Sequence, residues 1–324
     1  MQRSLTYVVT LAFLALAGCD GDSGPTDGNG NLEPTSMVAV SGGNQRIIVD
    51  GTLMQPFVVE VRDQNGDGLA GVTVEWAVTA GGGTLSASSS TTGSDGRASV
   101  TLTAGSSEGT STVTASVAEV STSVAFTATA VAPAMISINS GNNQTARTGV
   151  PLADPLSVTV TASDAGPVPG ATVDWMVTTG GGSLEQASTT TGINGMASND
   201  LTLGSAVGTH TVEASVGASL TTEFTADATD PVTVTVDMEG IAFVSSDGDD
   251  VVTIQLGDGV RWVNQDGVEH TATSNSTPAG GASFDSDLLS TGGEFTFVPD
   301  TRGEWIYFCE VHPTRMAGAR IIVQ

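Results

Sequence analysis

Apolar and polar residues alternate in short runs along most of the chain. Phe57-Val58-Val59-Glu60-Val61, Val72-Thr73-Val74-Glu75-Trp76, Ala98-Ser99-Val100-Thr101-Leu102 and Thr112-Val113-Thr114-Ala115-Ser116-Val117 are the clearest. Successive side chains of a strand point to opposite faces, so this period predicts half-buried strands. Turn residues separate the runs at short intervals, and long helical patterns are missing. The pattern predicts an all-β protein with many turns.

The middle of the chain repeats itself. Pro56, Gly71, Trp76, the glycines 81–83, Gly93, Gly96 and Gly109 recur as Pro155, Gly170, Trp175, the glycines 180–182, Gly192, Gly195 and Gly208, always at an offset of 99. Residues 37–132 and 133–230 are therefore read as one fold used twice. Each repeat has the length and turn spacing of an antiparallel sandwich of about 100 residues. Trp76 and Trp175 are read as core plugs. The phrase Gly71-Val-Thr-Val-Glu-Trp76, followed by Gly81-Gly-Gly83 and Thr92-Gly93…Gly96-Arg-Ala-Ser-Val100, resembles bacterial immunoglobulin-like domains of the intimin/invasin type. The resemblance spans both repeats and implies fold. It says little of function, since such domains serve as stalks, adhesins and spacers.

After Asp230-Pro231 the repeat stops. Val232–Asp237, Val251–Leu256, Val260–Asn264, Glu294–Val298, Trp305–Cys309 and Ala319–Val323 read as strands of a third sandwich, residues 231–324. This segment carries His270, Cys309, His312 and Met316. Two imidazoles and a thiolate with a weak thioether form the ligand set of an electron-transfer copper site. Cys309 ends a strand, which holds its thiolate rigidly. His312 follows on a tight loop stiffened by Pro313, Met316 lies further along, and His270 comes from a neighbouring strand. A rigid cage changes little between Cu(II) and Cu(I), which keeps the reorganisation cost of electron transfer low.

Trp262-Val-Asn-Gln-Asp-Gly-Val-Glu-His-Thr271, Phe284-Asp-Ser-Asp-Leu-Leu289, Phe295-Thr-Phe297 and Gly303-Glu-Trp-Ile-Tyr-Phe-Cys309-Glu-Val-His312-Pro313 together resemble a cupredoxin of the plastocyanin/amicyanin type. The resemblance implies a Greek-key sandwich and one type 1 copper, cycling between Cu(I) and Cu(II). It implies ligands His270, Cys309, His312 and Met316. Asn264 and Thr271 follow as supporting residues, with the Glu269 carbonyl as a further weak axial contact. The loop departs from its relatives in one respect: it reads C-x₂-H-x₃-M, where those with the short Cys–His spacing often have two or four residues before the Met.

The fold class expected is thus all-β: two tandem Ig-like sandwiches, then a cupredoxin Greek-key sandwich. Counting disfavours an enzyme. The chain has three histidines, whereas nitrite reductases and multicopper oxidases need several more, and a binuclear copper site needs two cysteines in its loop. A copper site open to water stays conceivable if Met316 does not reach the metal.

Residues 1–18 have one positive residue, Arg3, and the apolar run Tyr7–Leu16, which is short for a membrane span. The run ends in Leu16-Ala17-Gly18-Cys19, which looks like a bacterial lipoprotein signal. Cys19 would then carry the lipid, and two acyl chains would give stable anchoring. Residues 19–36 are rich in Gly, Asp, Asn and Pro and read as a flexible tether. The expected location is a bacterial cell envelope, facing periplasm or exterior. The repeats would be a stalk, placing the third sandwich as much as about 70–100 Å from the membrane if extended, or free to swing if the junctions are flexible.

The net charge is -26, and all nine basic residues are arginines. Such a surface excludes nucleic acid as a partner. It fits a basic redox protein, such as a c-type cytochrome, or simple solubility. Two smaller signals are read as structural. Asp63-Gln64-Asn65-Gly66-Asp67-Gly68 begins like a calcium loop, but Val74 stands at its twelfth position, so a turn is expected. His210 has no ligand partners near it in sequence and is expected on an exposed strand. An electron carrier on a stalk leads, ahead of a copper-delivery lipoprotein and of an adhesion protein with a copper-binding tip.

Overall fold

The computed structural model describes residues 32–246, 248 and 250–324. The signal segment, Cys19 and the tether as far as residue 31 lie outside the described residues. Those described form strands, turns and loops, without a helix. They fall into three sandwiches, each with its own buried cluster.

In the first sandwich a three-stranded sheet runs in the order Ser36–Ser41, Phe57–Arg62, Arg97–Val100. It faces a five-stranded sheet ordered Gln45–Ile48, Val120–Val131, Gly109–Val117, Thr73–Ala80, Ser89–Thr91. The alternation places Phe57, Val59 and Val61 inward, where all three are fully buried. Trp76 packs on Phe126, with ring centroids 6.2 Å apart, and its indole N–H donates to Ser90 Oγ. One edge differs from the antiparallel pattern: Gln45–Ile48 runs parallel to Val120–Val131. The second sandwich repeats this layout, with Trp175 against Phe224 and Gln144–Arg147 as its parallel edge.

The acidic loop of the first repeat is a turn. The buried Asp63 carboxylate accepts the backbone N–H groups of Asn65 and Asp67, so it closes its own loop. His210 is not on an exposed face, contrary to its expected place: it is 1% exposed. Its ring lies flat over Gly180, where an added Cβ would meet His210 Cγ at 2.4 Å. Its two ring nitrogens are 3.0 Å from Gly181 O and 2.9 Å from Ala206 O. Neighbouring residues in sequence give no sign of this, because the glycines that make room come from a different strand end. In the first repeat Ser111 holds the equivalent place, and the slot is an open cleft of about 420 Å³.

The third sandwich has two four-stranded sheets. One is ordered Phe243–Ser245, Thr233–Met238, Gly259–Asn264, Glu294–Phe297. The other is ordered Val251–Ile254, Ala317–Val323, Gly303–Phe308, Thr273–Ser276. One pair in each sheet is parallel, Thr233–Met238 with Gly259–Asn264 and Val251–Ile254 with Ala317–Val323. Between the sheets lies an aromatic core. Trp262, Trp305 and Tyr307 are fully buried, and Trp262 sits 5.1 Å from Phe284 and 5.2 Å from Tyr307 by ring centroids. The edge strand Thr273–Ser276 is polar and half-exposed, so no alternation marks it in the sequence.

Candidate metal centre

One end of the third sandwich gathers the residues singled out above. Gly303–Phe308 delivers Cys309 to the edge of the aromatic core, where it is fully buried and forms no disulfide. The next residues fold back at once: His312 N donates to Cys309 O, Met316 N to His312 O, and Cys309 N to Met316 O. This closed loop fixes His312 beside the thiol, with Nδ1 3.6 Å from Cys309 Sγ. His270 arrives from the turn after Gly259–Asn264 and is fastened to Leu289 by two backbone hydrogen bonds. Its Nδ1 lies 3.7 Å from the same sulfur.

The three donor atoms all lie within 4.8 Å of one another. Two donors about 2.0 and 2.3 Å from a shared ion, at tetrahedral to trigonal angles, stand roughly 3.5–3.7 Å apart. The two nitrogen–sulfur separations, 3.7 and 3.6 Å, therefore fit one ion shared by the thiolate and each imidazole, a donor set suited to copper. Met316 is buried at 2% exposure in the core cluster beneath this loop. His270 is fully buried, whereas His312 is half-buried and keeps one edge towards solvent.

The supporting residues divide sharply. Thr271 N donates to Cys309 Sγ at 3.3 Å, and Thr271 Oγ1 accepts Glu310 N, so one residue steadies both the sulfur and its loop. Buried Asn264 donates from Nδ2 to Val268 O and Leu289 O and accepts Asp266 N. It thereby ties down the whole turn that carries His270. Glu269 is exposed. The carboxylate that reaches a histidine is Asp266, whose Oδ2 is 2.9 Å from His270 Nε2. It is not among the residues that the sequence singles out, although an acid four residues before a candidate ligand is a usable signal. Backbone N–H groups of Gly240 and Ile241, and then His270, hold the Asp266 carboxyl below the ordinary carboxylate range. An ionised Asp266 accepts the Nε2 proton and leaves Nδ1 with its lone pair facing the sulfur.

Beneath the site the surroundings are apolar. Tyr307 lies two residues before Cys309 on the same face, and burial pushes its phenol up. Neither its hydroxyl nor the Trp262 indole N–H has a well-aligned hydrogen-bond partner. Within two residues of His270, Leu289 and His312 in sequence, the large apolar residues Val268, Leu288 and Val311 are exposed at 50%, 59% and 44%. Exposed Asp285, Asp287 and Glu310 stand near them in sequence, joined to the site through Thr273 and Thr271.

Known proteins are similar to parts of the chain. Residues 37–131 match the family model of the bacterial Ig-like domain (group 1). Chloroplastic plastocyanin of Tetradesmus obliquus is 38% identical over 79 residues, which cover 22% of this chain and 54% of that protein. The chain thus spans about half the length of the curated relative it matches. Among solved structures, the D0–D1 domain of intimin aligns over 60% of this chain and 95% of its own, at 24% identity and a TM-score of 0.27. A copper(I) form of an amicyanin mutant aligns over 28% of this chain and 82% of its own, at 18% identity and a TM-score of 0.25. The chain is similar to bacterial Ig-like domains in its first sandwich, and it also carries a stretch similar to plastocyanin.

Proposed function

We propose that the protein is an extracytoplasmic electron carrier with one type 1 copper, displayed at the end of an Ig-like stalk. The observation that carries this reading is the spacing of His270 Nδ1 and His312 Nδ1, 3.7 and 3.6 Å from one buried thiol. Copper bound there would supply a one-electron couple between Cu(II) and Cu(I). His270, Cys309 and His312 would hold it, with Met316 as the weak fourth ligand. The chain does the rest. Thr271 N–H donates to the sulfur, Asp266 and Asn264 fix His270, and the aromatic core keeps water from the protein side. Half-buried His312, with exposed Val268, Leu288 and Val311 on the segments that carry the site, offers the contact face for a redox partner.

The partner is a basic redox protein, for which a c-type cytochrome is one candidate. The flanking carboxylates Asp285, Asp287 and Glu310 favour this sign of charge. Anchoring through Cys19 to an envelope membrane completes this reading, with periplasmic or exterior display.

Adding Cu(II) to the metal-free protein is the direct test. Intense blue absorption with narrow copper hyperfine splitting in EPR is the expected result. Weak colour with ordinary splitting would overturn the type 1 reading. Electron exchange with a basic partner should slow as salt rises, because exposed charges are screened beyond about 8–10 Å at physiological ionic strength. A salt-independent rate would remove the electrostatic docking. Asp266→Ala should weaken copper binding by about 10–100-fold, measured by chelator competition. An unchanged affinity would show that the His270 contact does not position the ligand.

A further inference from the structure

The two junctions between sandwiches are built alike. Each linker has three residues with a central proline: Ala132-Pro133-Ala134 between the strands ending at Val131 and starting at Met135, and Asp230-Pro231-Val232 between Thr229 and Thr233. Neither linker has room for a flexible spacer. At each, an arginine from the parallel edge strand of one sandwich reaches into a tight turn of the next.

At the first junction Arg46 uses every N–H-bearing nitrogen. Nη1 and Nη2 donate to the two carboxylate oxygens of Asp164 at 2.9 and 2.8 Å, and Nε donates to Pro167 O at 2.8 Å. The guanidinium lies on Gly166, where an added Cβ would stand 2.6 Å from Arg46 Cζ. Arg46 also holds the Asp164 carboxyl below its ordinary range. Ile48, on the same strand, packs against the second sandwich's core.

At the second junction Arg147 meets Asp258, which is 1% exposed. Nη2 donates to Asp258 Oδ2 at 3.0 Å. Nε is 2.7 Å from Oδ1 but poorly aligned, so Nη2 carries the hydrogen bond. Nη1 turns back to Thr229 Oγ1 and to Asp230 O in the linker. Asp258 also accepts Val232 N from the linker and Gln255 N from its own turn. Gly257 beside it approaches Val150 and Arg147 so closely that an added Cβ would meet Val150 Cγ2 at 2.7 Å.

We infer that Arg46 and Arg147 are keyed locks that hold the three sandwiches as one rigid strut in a fixed order. A planar guanidinium bound at two or more nitrogens resists both sliding and rotation, unlike a point charge. The order follows from where the keys and sockets stand. At the 99-residue offset Arg46 corresponds to Thr145, and Arg147 to Ile48. The loop equivalent to the Asp164 socket has Asn65 for the aspartate and Asp67 for Gly166, so the first repeat carries a key and no matching socket. The second repeat carries a socket and a different key. Given the stalk reading of the repeats, the strut sets where the metal centre points, not only how far out it sits.

The test measures distances between paired spin labels in the full chain with Cys19→Ser and Cys309→Ser, so that it reports on the junctions whether or not copper binds. Thr122→Cys with Thr221→Cys spans the first junction, and Thr221→Cys with Ser276→Cys the second; all three positions lie outside the locks. Both pairs should give a single narrow distribution. Gly166→Ala should broaden only the first, since that glycine has no left-handed φ and the three atoms nearest the added methyl all belong to the guanidinium. Arg147→Ala should broaden only the second, with circular dichroism unchanged. Broad distributions in the parent chain, or narrow ones that survive both substitutions, would overturn the inference.

Discussion

Cys309→Ser is expected to abolish the copper–thiolate absorption completely, while Met316→Leu should keep the colour and shift the reduction potential. Three nitrogens converge on the buried Cys309 sulfur: His270 Nδ1, His312 Nδ1 and Thr271 N. Serine keeps the shape but offers a hard, poorly ionised oxygen in place of a soft thiolate. The loop should survive the change, because its closing hydrogen bonds are made by backbone atoms of Cys309, His312 and Met316. The visible spectrum of each variant after Cu(II) addition is the measurement. Undiminished blue colour in Cys309→Ser would end the type 1 assignment.

Trp262→Ala should strongly destabilise the third sandwich and spare the other two. Trp262 is fully buried and lies 5.1, 5.8 and 5.2 Å by ring centroid from Phe284, Phe295 and Tyr307. Removing a packed Trp from a core costs about 3–5 kcal/mol. A domain of this size holds about 5–15 kcal/mol in total. Its melting temperature should fall by roughly 12–40 °C. The first two sandwiches have separate core clusters, so calorimetry should show their transitions little moved. A third-sandwich transition that stays within a few degrees of the parent would show that the aromatic core is not what holds it.

Much of the fold is legible in the order of residues alone. The 99-residue offset and the period-two runs point to an all-β chain, because both are local patterns set by strand geometry. The strand-end cysteine and its short loop announce two of the donors, and the backbone hydrogen bonds that close that loop bring His312 to 3.6 Å from the sulfur. What stays hidden depends on distant approach. Asp266 reaches His270 because Gly240 and Ile241, on another strand's turn, orient its carboxylate. His210 is buried by glycines 180 and 181. Arg46 finds its partner 118 residues away in Asp164. The four-residue spacing of Asp266 and His270 hints at the first of these, but no spacing rule within one element predicts the other two.

The unlike pair Ser111 and His210 bears on how the chain assembles. Adjacent copies of one fold risk exchanging strands with each other while they form. Here a trade of the strands Gly109–Val117 and Gly208–Val216 would be penalised on both sides. Ser111 in the second slot would leave Gly181 O and Ala206 O without the ring that now faces them. His210 in the first would displace the Ser111 contacts to Gly82. The divergence of one position therefore works as proofreading, so that two like-folded neighbours each recruit their own strand.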